Sequence, residues 1–483
     1  MKKIAKILSV VMASTMMLSM TACGGSSSSG STQTGSIQLK INENATKEIV
    51  FEYLLAGFGN DPYYAIANAY MERNPDVQIR PYGNKDIVGT TQNNLTANQG
   101  VSDIYCYPYD SIKMWIKDGL LEDLTDLCNQ QTLDGRTMLS SMTGTAAQAI
   151  SADNKIYGIP EYTSVTGFVY NQDLFEAKGW QVPTTTKELE ELCETIMADP
   201  DGIAPITWCK EAGGYLYFAT ENWISQYAGV ENMNKFYAYE SAEIYAMQDN
   251  EAGSLYTAKK LALQNLVKFF SPMKEGGYAA DDSRTLSYTN AQLSLLEGEA
   301  AMMLNGSWFY NEMKGVWMDE RVGIFPMPEI TDASGNILRA ANNPVTNGRT
   351  MTADYGAYYF IPTNAPDKET AKDFLLYLSS EEACAIYTQY ANTIRPFIYD
   401  VSETSELYPK MTNFGKSVLQ MADSCVLYAP VSNSPLDLKG KAGLWPRGKR
   451  EESEIMEKGS NTDPDYWLNK DYQFAKENWK AWI

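Results

Sequence analysis

Ile49-Val50-Phe51-Glu52-Tyr53-Leu54-Leu55 is a β-rich run ending in Gly57-Phe58-Gly59, and the order of elements behind it decides the fold class. Asp61-Pro62 opens a helix, because proline is pre-set for a first helical turn, and Tyr64, Ala67 and Met71 lie on it. Asn74-Pro75 stops that helix. Val77 to Arg80 reads as a second strand, Asp86 to Asn98 as a polar helix, and Asp103-Ile104-Tyr105-Cys106-Tyr107 as a third strand. This β-α-β-α-β order predicts an α/β fold with a mostly parallel sheet under covering helices. Ligands of such sheets collect at the carboxyl ends of strands. Phe58, Asp103 and Tyr107 are therefore candidates by position alone, although an aspartate there serves equally well to cap the next turn.

The alternation continues down the chain. Ile156 to Pro160 and Gly167 to Tyr170 read as strands. Thr185 and Glu188 have capping-box spacing, and Leu189, Leu192, Cys193, Ile196 and Met197 form one apolar face behind them. Leu263, Leu266, Val267 and Phe270 form another. Ala300 to Leu304 is a short buried strand, and Asn305-Gly306-Ser307 then starts a helix with Trp308 in its first turn. Tyr355 to Ile361 reads as a strand and Asp367 to Leu378 as a helix. Leu468, Tyr472, Ala475, Trp479 and Trp482 mark an amphipathic C-terminal helix that docks on a lobe rather than a membrane, its opposite face being mixed in charge.

The chain has 483 residues, 60 Asp+Glu, 39 Lys+Arg and no histidine. A Ser-His-Asp triad, a Cys-His pair and a His-based zinc site are therefore impossible. A formal charge of −21 argues against a nucleic-acid partner, which needs Lys/Arg clusters. No GxGxxG precedes a helix, and there is no P-loop or EF-hand run. No metal and no cofactor are expected, and carboxylate acid/base chemistry is not excluded by composition.

The N-terminus reads as a secretory signal, residues 1–22: Lys2, Lys3 and Lys6, then an apolar Ile7 to Met20, then small residues. Met20-Thr21-Ala22-Cys23 resembles a bacterial lipobox, which implies lipidation of Cys23. Residues 23–44 would then hold the lipidated cysteine and a flexible Gly/Ser tether. Removing residues 1–22 takes away three lysines and no acids, so the mature charge becomes 36 − 60 = −24. The remaining cysteines, Cys106, Cys128, Cys193, Cys209, Cys384 and Cys425, have no metal spacing. They read as buried free thiols, with one pair such as Cys193–Cys209 left open.

Three blocks carry a family likeness. They are Tyr157-Gly158-Ile159-Pro160 with Val169-Tyr170-Asn171-Gln172-Asp173-Leu174-Phe175 and Pro183-Thr184-Thr185; Glu297-Gly298-Glu299-Ala300-Ala301-Met302-Met303-Leu304-Asn305-Gly306-Ser307-Trp308; and Tyr358-Tyr359-Phe360-Ile361-Pro362 with Lys372-Asp373-Phe374-Leu375. In this order, over about residues 47–400, they resemble the family 1 extracellular solute-binding proteins of ABC transporters. The resemblance implies a periplasmic-binding-protein-like fold, two α/β lobes joined by a hinge with the ligand cleft between them. It implies one lobe at 45–160 plus 350–395 and another at 161–345 plus 396–483. Crossings would fall at Pro160–Tyr162, Thr346–Asp354 and Thr393–Phe397. It further implies a monomer that captures a sugar or oligosaccharide and hands it to the transmembrane subunits of a permease. The lipid would hold it on the extracellular face of a cell membrane of Gram-positive type.

Such a ligand needs aromatic platforms for its C–H faces and Asp, Glu, Asn or Arg for its hydroxyls. Trp308 matches the family's GsW tryptophan, which stacks on sugar. Ser164 falls where some maltodextrin binders carry an acid, with Glu161 close by and Tyr162 at the same crossing. Trp208 and Trp223 flank Gly213-Gly214-Tyr215, which makes Tyr215 a candidate too, and core packing is the competing role of both tryptophans. Arg349 and Tyr355 lie in the Gly/Asn-rich run Asn342 to Gly356, and Arg395 either bonds hydroxyls or braces a hinge. A non-sugar solute (peptide, polyamine or polyol phosphate) remains the alternative within transport, and a secreted two-carboxylate glycosidase the alternative outside it.

Overall fold

A computed structural model describes residues 37–108, 112–316, 321–343, 349–431, 436, 443–448 and 450–483. The expected signal peptide, Cys23, most of the expected tether and residues 344–348 of the Gly/Asn-rich run lie outside the described residues.

The opening run becomes strand Lys47–Leu54, in the middle of one side of a six-stranded sheet. The order is Val77–Asn84, Lys47–Leu54, Ile104–Tyr107, Tyr358–Phe360, Lys155–Pro160, Ile150–Ala152. Its first three strands are parallel, and Tyr358–Phe360 enters antiparallel from far along the chain. Ile49, Phe51 and Tyr53 are fully buried, and Glu52 on the opposite face is buried too, accepting hydrogen bonds from Ser102 Oγ at 2.6 Å and Asn84 Nδ2 at 2.8 Å. Burial of both faces is what parallel sheets require. Helix Asp61–Arg73 covers the sheet with Tyr63, Ile66, Ala67, Tyr70 and Met71, while Tyr64 is only half-buried.

A second sheet has the order Val322–Phe325, Thr166–Asn171, Ala300–Gly306, Ala204–Thr207. All seven residues of Ala300–Gly306 are buried, since helices cover both faces of this central strand. Helix Thr186–Met197 carries the expected capping box, with Glu188 N donating to Thr185 Oγ1 and Thr185 N to Glu188 Oε2. Met197 leaves the apolar face and is exposed at the helix end. The C-terminal helix Pro464–Trp482 packs Trp467, Leu468, Ala475 and Trp482 into this second core. The molecule therefore has two α/β lobes, each with its own sheet and apolar core.

Between the sheets the chain runs as paired ribbons. Thr163–Ser164 pairs antiparallel with Asp354–Tyr355, and Thr163 also bridges Ile394. The expected continuous strand Tyr355 to Ile361 is broken at Gly356 and Ala357, where the chain leaves the ribbon for the first sheet. Gly356 is needed there because a β-carbon would sit 1.9 Å from the Tyr162 hydroxyl. The six cysteines are free, five of them buried and Cys425 half-buried. Cys193 and Cys209 thus do not form the pair that spacing left open.

Candidate functional site

A cleft of about 570 Å³ opens where the first sheet, the ribbon and the second lobe meet. The loop after Lys47–Leu54 contributes Gly57 and Phe58 from one side. The ribbon contributes Glu161, Tyr162, Ser164, Asp354 and Tyr355. Tyr215, Tyr217, Phe218, Trp308, Glu312 and Arg450 line the other side. A larger groove of about 860 Å³ surrounds Trp180, Arg321 and Lys416, but it is built from the second lobe's side alone and holds none of the expected site residues.

Trp308 dominates the second-lobe wall. Strand Ala300–Gly306 ends against the cleft, and Trp308 caps the short helix Phe309–Met313 behind it. Its six-membered ring lies over Gly306, where a β-carbon would come within 2.3 Å of the ring, so the glycine of Gly306-Ser307-Trp308 is the seat of the indole. Tyr215 meets the ring at 5.6 Å and 70°, and Phe218 at 5.6 Å and 58°. Edge-on neighbours of this kind brace an aromatic ring. Among the described residues the buried Trp308 Nε1 finds no hydrogen-bond partner. Across the cleft Phe58 stands edge-on to Tyr162 at 4.9 Å and 83°.

The polar lining is mostly acidic. Glu161 is 1% exposed and accepts from Tyr359 Oη at 3.2 Å, and burial raises its pKa against the pull of Cys106 and Arg395. Ser164 Oγ donates to Asp354. Glu312 is raised by burial, opposed by hydrogen bonds from Tyr288 and Gln292. The Arg450 guanidinium lies 3.5 Å over the Tyr217 ring. Among the described residues no group of His, Cys, Asp and Glu side chains could hold a metal ion.

Seven of the expected residues therefore share the cleft: Phe58, Glu161, Tyr162, Ser164, Tyr215, Trp308 and Tyr355. Six do not line it. Asp103 fastens elements together, accepting from Val50 N at 2.8 Å and Asp367 N at 2.7 Å. Tyr107 is buried edge-on against Trp115 at 5.1 Å. Trp208 and Trp223 are core residues whose indole N–H groups donate to the carbonyls of Phe270 at 2.9 Å and Pro328 at 3.0 Å. Arg349 donates to the carbonyls of Met327 at 3.1 Å and Thr184 at 3.3 Å. Arg395 is buried beneath the ribbon and donates Nε–H to the Glu161 carbonyl at 2.7 Å. In each case the side chain is taken up by backbone hydrogen-bond partners or apolar neighbours that spacing does not reveal.

The sequence reading missed Tyr217, Phe218, Glu312, Asp354 and Arg450. Two had a local signal: Phe218 lies one helical turn beyond Tyr215, and Glu312 one turn beyond Trp308. Arg450 arrives from a distant segment and had none.

The acidic groups make stability depend on pH. Glu221, behind Tyr217, is pushed up to about 8 by burial and by Asp354 and Glu452, against the pull of Arg450. Glu451 is raised by burial beside Asp471, and Glu452 by burial. The folded state keeps protons that the unfolded state has released above its carboxylate pKa of about 4.3. Their stabilisation is complete below that value and is lost as pH rises through the folded values. The thermal midpoint should fall between pH 6 and pH 9, each of these groups costing roughly 1 kcal/mol per pH unit until its folded value is reached. Scanning calorimetry over that range checks this, and Glu221→Gln should flatten the slope. A midpoint that rises with pH would contradict the assignment.

Known proteins share both the sequence pattern and the architecture. A family profile described as bacterial extracellular solute-binding protein matches residues 59–384. The multiple sugar-binding protein of Streptococcus mutans is 22% identical over 57% of this chain and 61% of its own length. The maltotriose-binding protein of Pyrococcus abyssi is 24% identical over 56% of this chain. The match spans only 51% of that relative's own length. Among solved structures, the maltose/maltodextrin-binding domain of Bdellovibrio bacteriovorus bound to maltotriose superposes with a TM-score of 0.58 at 14% identity, covering 90% of this chain and 100% of that one. At that identity the likeness speaks for the fold.

Proposed function

Because this chain belongs to the bacterial extracellular solute-binding protein family, we propose that it captures a sugar or oligosaccharide between its lobes and delivers it to an ABC permease. The observation that carries the reading is the Trp308 ring, seated on Gly306, braced by Tyr215 and Phe218, and lining a cleft that also offers carboxylates. A pyranose face stacks on such a ring while its hydroxyls donate to the acids. Closure about the ribbons around Thr163, Asp354 and Ile394 traps the solute, and the closed form is what a permease distinguishes from the open one. The protein works as a monomer without covalent chemistry, tethered outside the cell by a lipid on Cys23. Cys23→Ala should move it from the membrane fraction to the medium, and unchanged membrane association would remove the anchor from the reading.

The test is a thermal-shift screen of the purified protein against maltotriose, raffinose, galactooligosaccharides and xylooligosaccharides, with spermidine included. A ligand that binds only the folded state raises the midpoint by mass action. At least one sugar should do so without being cleaved. Spermidine is in the panel because Glu161, Glu312 and Asp354 outnumber Arg450 along the cleft. A shift with spermidine alone would replace the sugar reading, and a cleaved sugar would make the protein a glycosidase.

A further inference from the structure

Glu312 sits on the same helical turn as Trp308, four residues on, and its carboxylate is held rather than free to swing. Its Oε2 accepts two hydrogen bonds, from Tyr288 Oη at 2.8 Å and from Gln292 Nε2 at 2.8 Å. Gln292 is 2% exposed, and Tyr288 is tied in turn to Asn305 at the end of the strand that leads to Trp308. The other oxygen, Oε1, has no hydrogen-bond partner among the described residues. It lies at Gly57, on the opposite lip of the cleft, only 3.4 Å from where a β-carbon on that residue would be. A carboxylate oxygen has room for two donors, so Oε1 is open to a ligand hydroxyl in place of water.

We propose that Glu312 is a specificity-determining acceptor of this cleft, its Oε1 accepting a hydrogen bond from a hydroxyl of a polyhydroxylated ligand stacked on Trp308. The inference rests on the sugar-binding reading above and adds to it the residue that fixes which hydroxyl is read. The clamped Oε2 sets the direction of Oε1, and the seated indole sets the plane of the ligand ring. Together they select a sugar whose hydroxyl lies at the edge of its apolar face. A buried acceptor rejects an analogue that lacks the donor far more strongly than an apolar wall rejects a missing methylene. Gly57 leaves the space above Oε1 open, since a side chain at this position would meet both Glu312 and the Trp308 β-carbon, 3.1 Å away.

The experiment uses whichever sugar of the thermal-shift panel binds the wild-type protein most tightly, with its singly deoxygenated analogues, measured by titration calorimetry. Glu312→Gln keeps the shape, removes the charge and should weaken the parent sugar roughly 10- to 100-fold, the range for a charge-assisted hydrogen bond. One deoxy analogue should bind the wild type that much more weakly, yet bind Glu312→Gln as well as the parent sugar does. This loss of discrimination at a single hydroxyl is a readout that a merely structural glutamate would not give. Tyr288→Phe, which frees Oε2 from one clamp, should weaken binding less and blunt the same discrimination. Equal affinity of wild type and Glu312→Gln for the parent sugar, or discrimination unchanged at every hydroxyl, overturns the proposal while leaving sugar binding intact. A wild-type protein that binds no sugar in the panel overturns the reading beneath it instead.

Discussion

Arg395→Met should lower stability by about 3–5 kcal/mol, the cost of removing one member of a buried charged set. The guanidinium is 2% exposed. It donates Nε–H to the Glu161 carbonyl at 2.7 Å and Nη1–H to the Leu378 carbonyl. The rings of Tyr359, Tyr387 and Phe397 surround it at 5.5, 5.3 and 5.1 Å. It is also the positive charge that opposes the burial of Glu161. Methionine fills much of the volume but supplies no donor, so two carbonyls lose their partner and an acid loses its counter-charge. Because the residue ties the ribbon entry at Glu161 to the helix end at Leu378, the loss should appear as a lower thermal midpoint and lower urea midpoint. Arg395→Lys should recover part of it. A near-normal midpoint with abolished sugar binding would place Arg395 on the ligand instead.

Trp308→Ala should weaken sugar binding on the order of 30-fold, about 2 kcal/mol, as truncating a central aromatic anchor does. A cost in stability should accompany it. The ring is half-buried and packs against residues of both lobes' cores. Removing it also strips the neighbours of Tyr215 and Phe218. About 1–3 kcal/mol is expected, below the range for a fully buried tryptophan. The two effects separate with Trp308→Phe, which keeps a flat face over Gly306 and should restore most of the affinity. Calorimetric titration and thermal denaturation of both variants are the check. Affinity equal to wild type in Trp308→Ala would show that the ring serves packing alone.

The distinction between these two residues shows where sequence reading stops. Trp308 stood out by its motif and Arg395 by its place in an expected crossing, and both have an aromatic or charged side chain suited to sugar. Trp308 comes just after a glycine that leaves room for its ring, a local requirement that is visible as Gly306-Ser307-Trp308. Arg395 is decided by Leu378 and by the Glu161 carbonyl, which are remote in sequence. Trp208 and Trp223 flanked a promising loop, yet each found a backbone carbonyl inside the second core and turned away from the cleft. Asp103 was legible as either a cap or a ligand group, and its two bonds to Val50 and Asp367 make it a fastener.

The chain by itself determined the α/β class, because hydrophobic period and turn chemistry are local properties written into Lys47–Leu54, Thr186–Met197 and Ala300–Gly306, and its division into two lobes was legible only through the family resemblance of the three blocks. It also determined, through the absence of histidine, which catalytic devices the protein cannot build, since composition needs no coordinates. Tertiary structure alone decided which side chains meet. Glu312 and Arg450 reach one cleft from segments with no shared pattern, and Gly356 is a glycine only because the Tyr162 hydroxyl occupies the place of its side chain. Pairing across long loops arises from packing two cores around a ribbon, and that is a global balance no short stretch of sequence records.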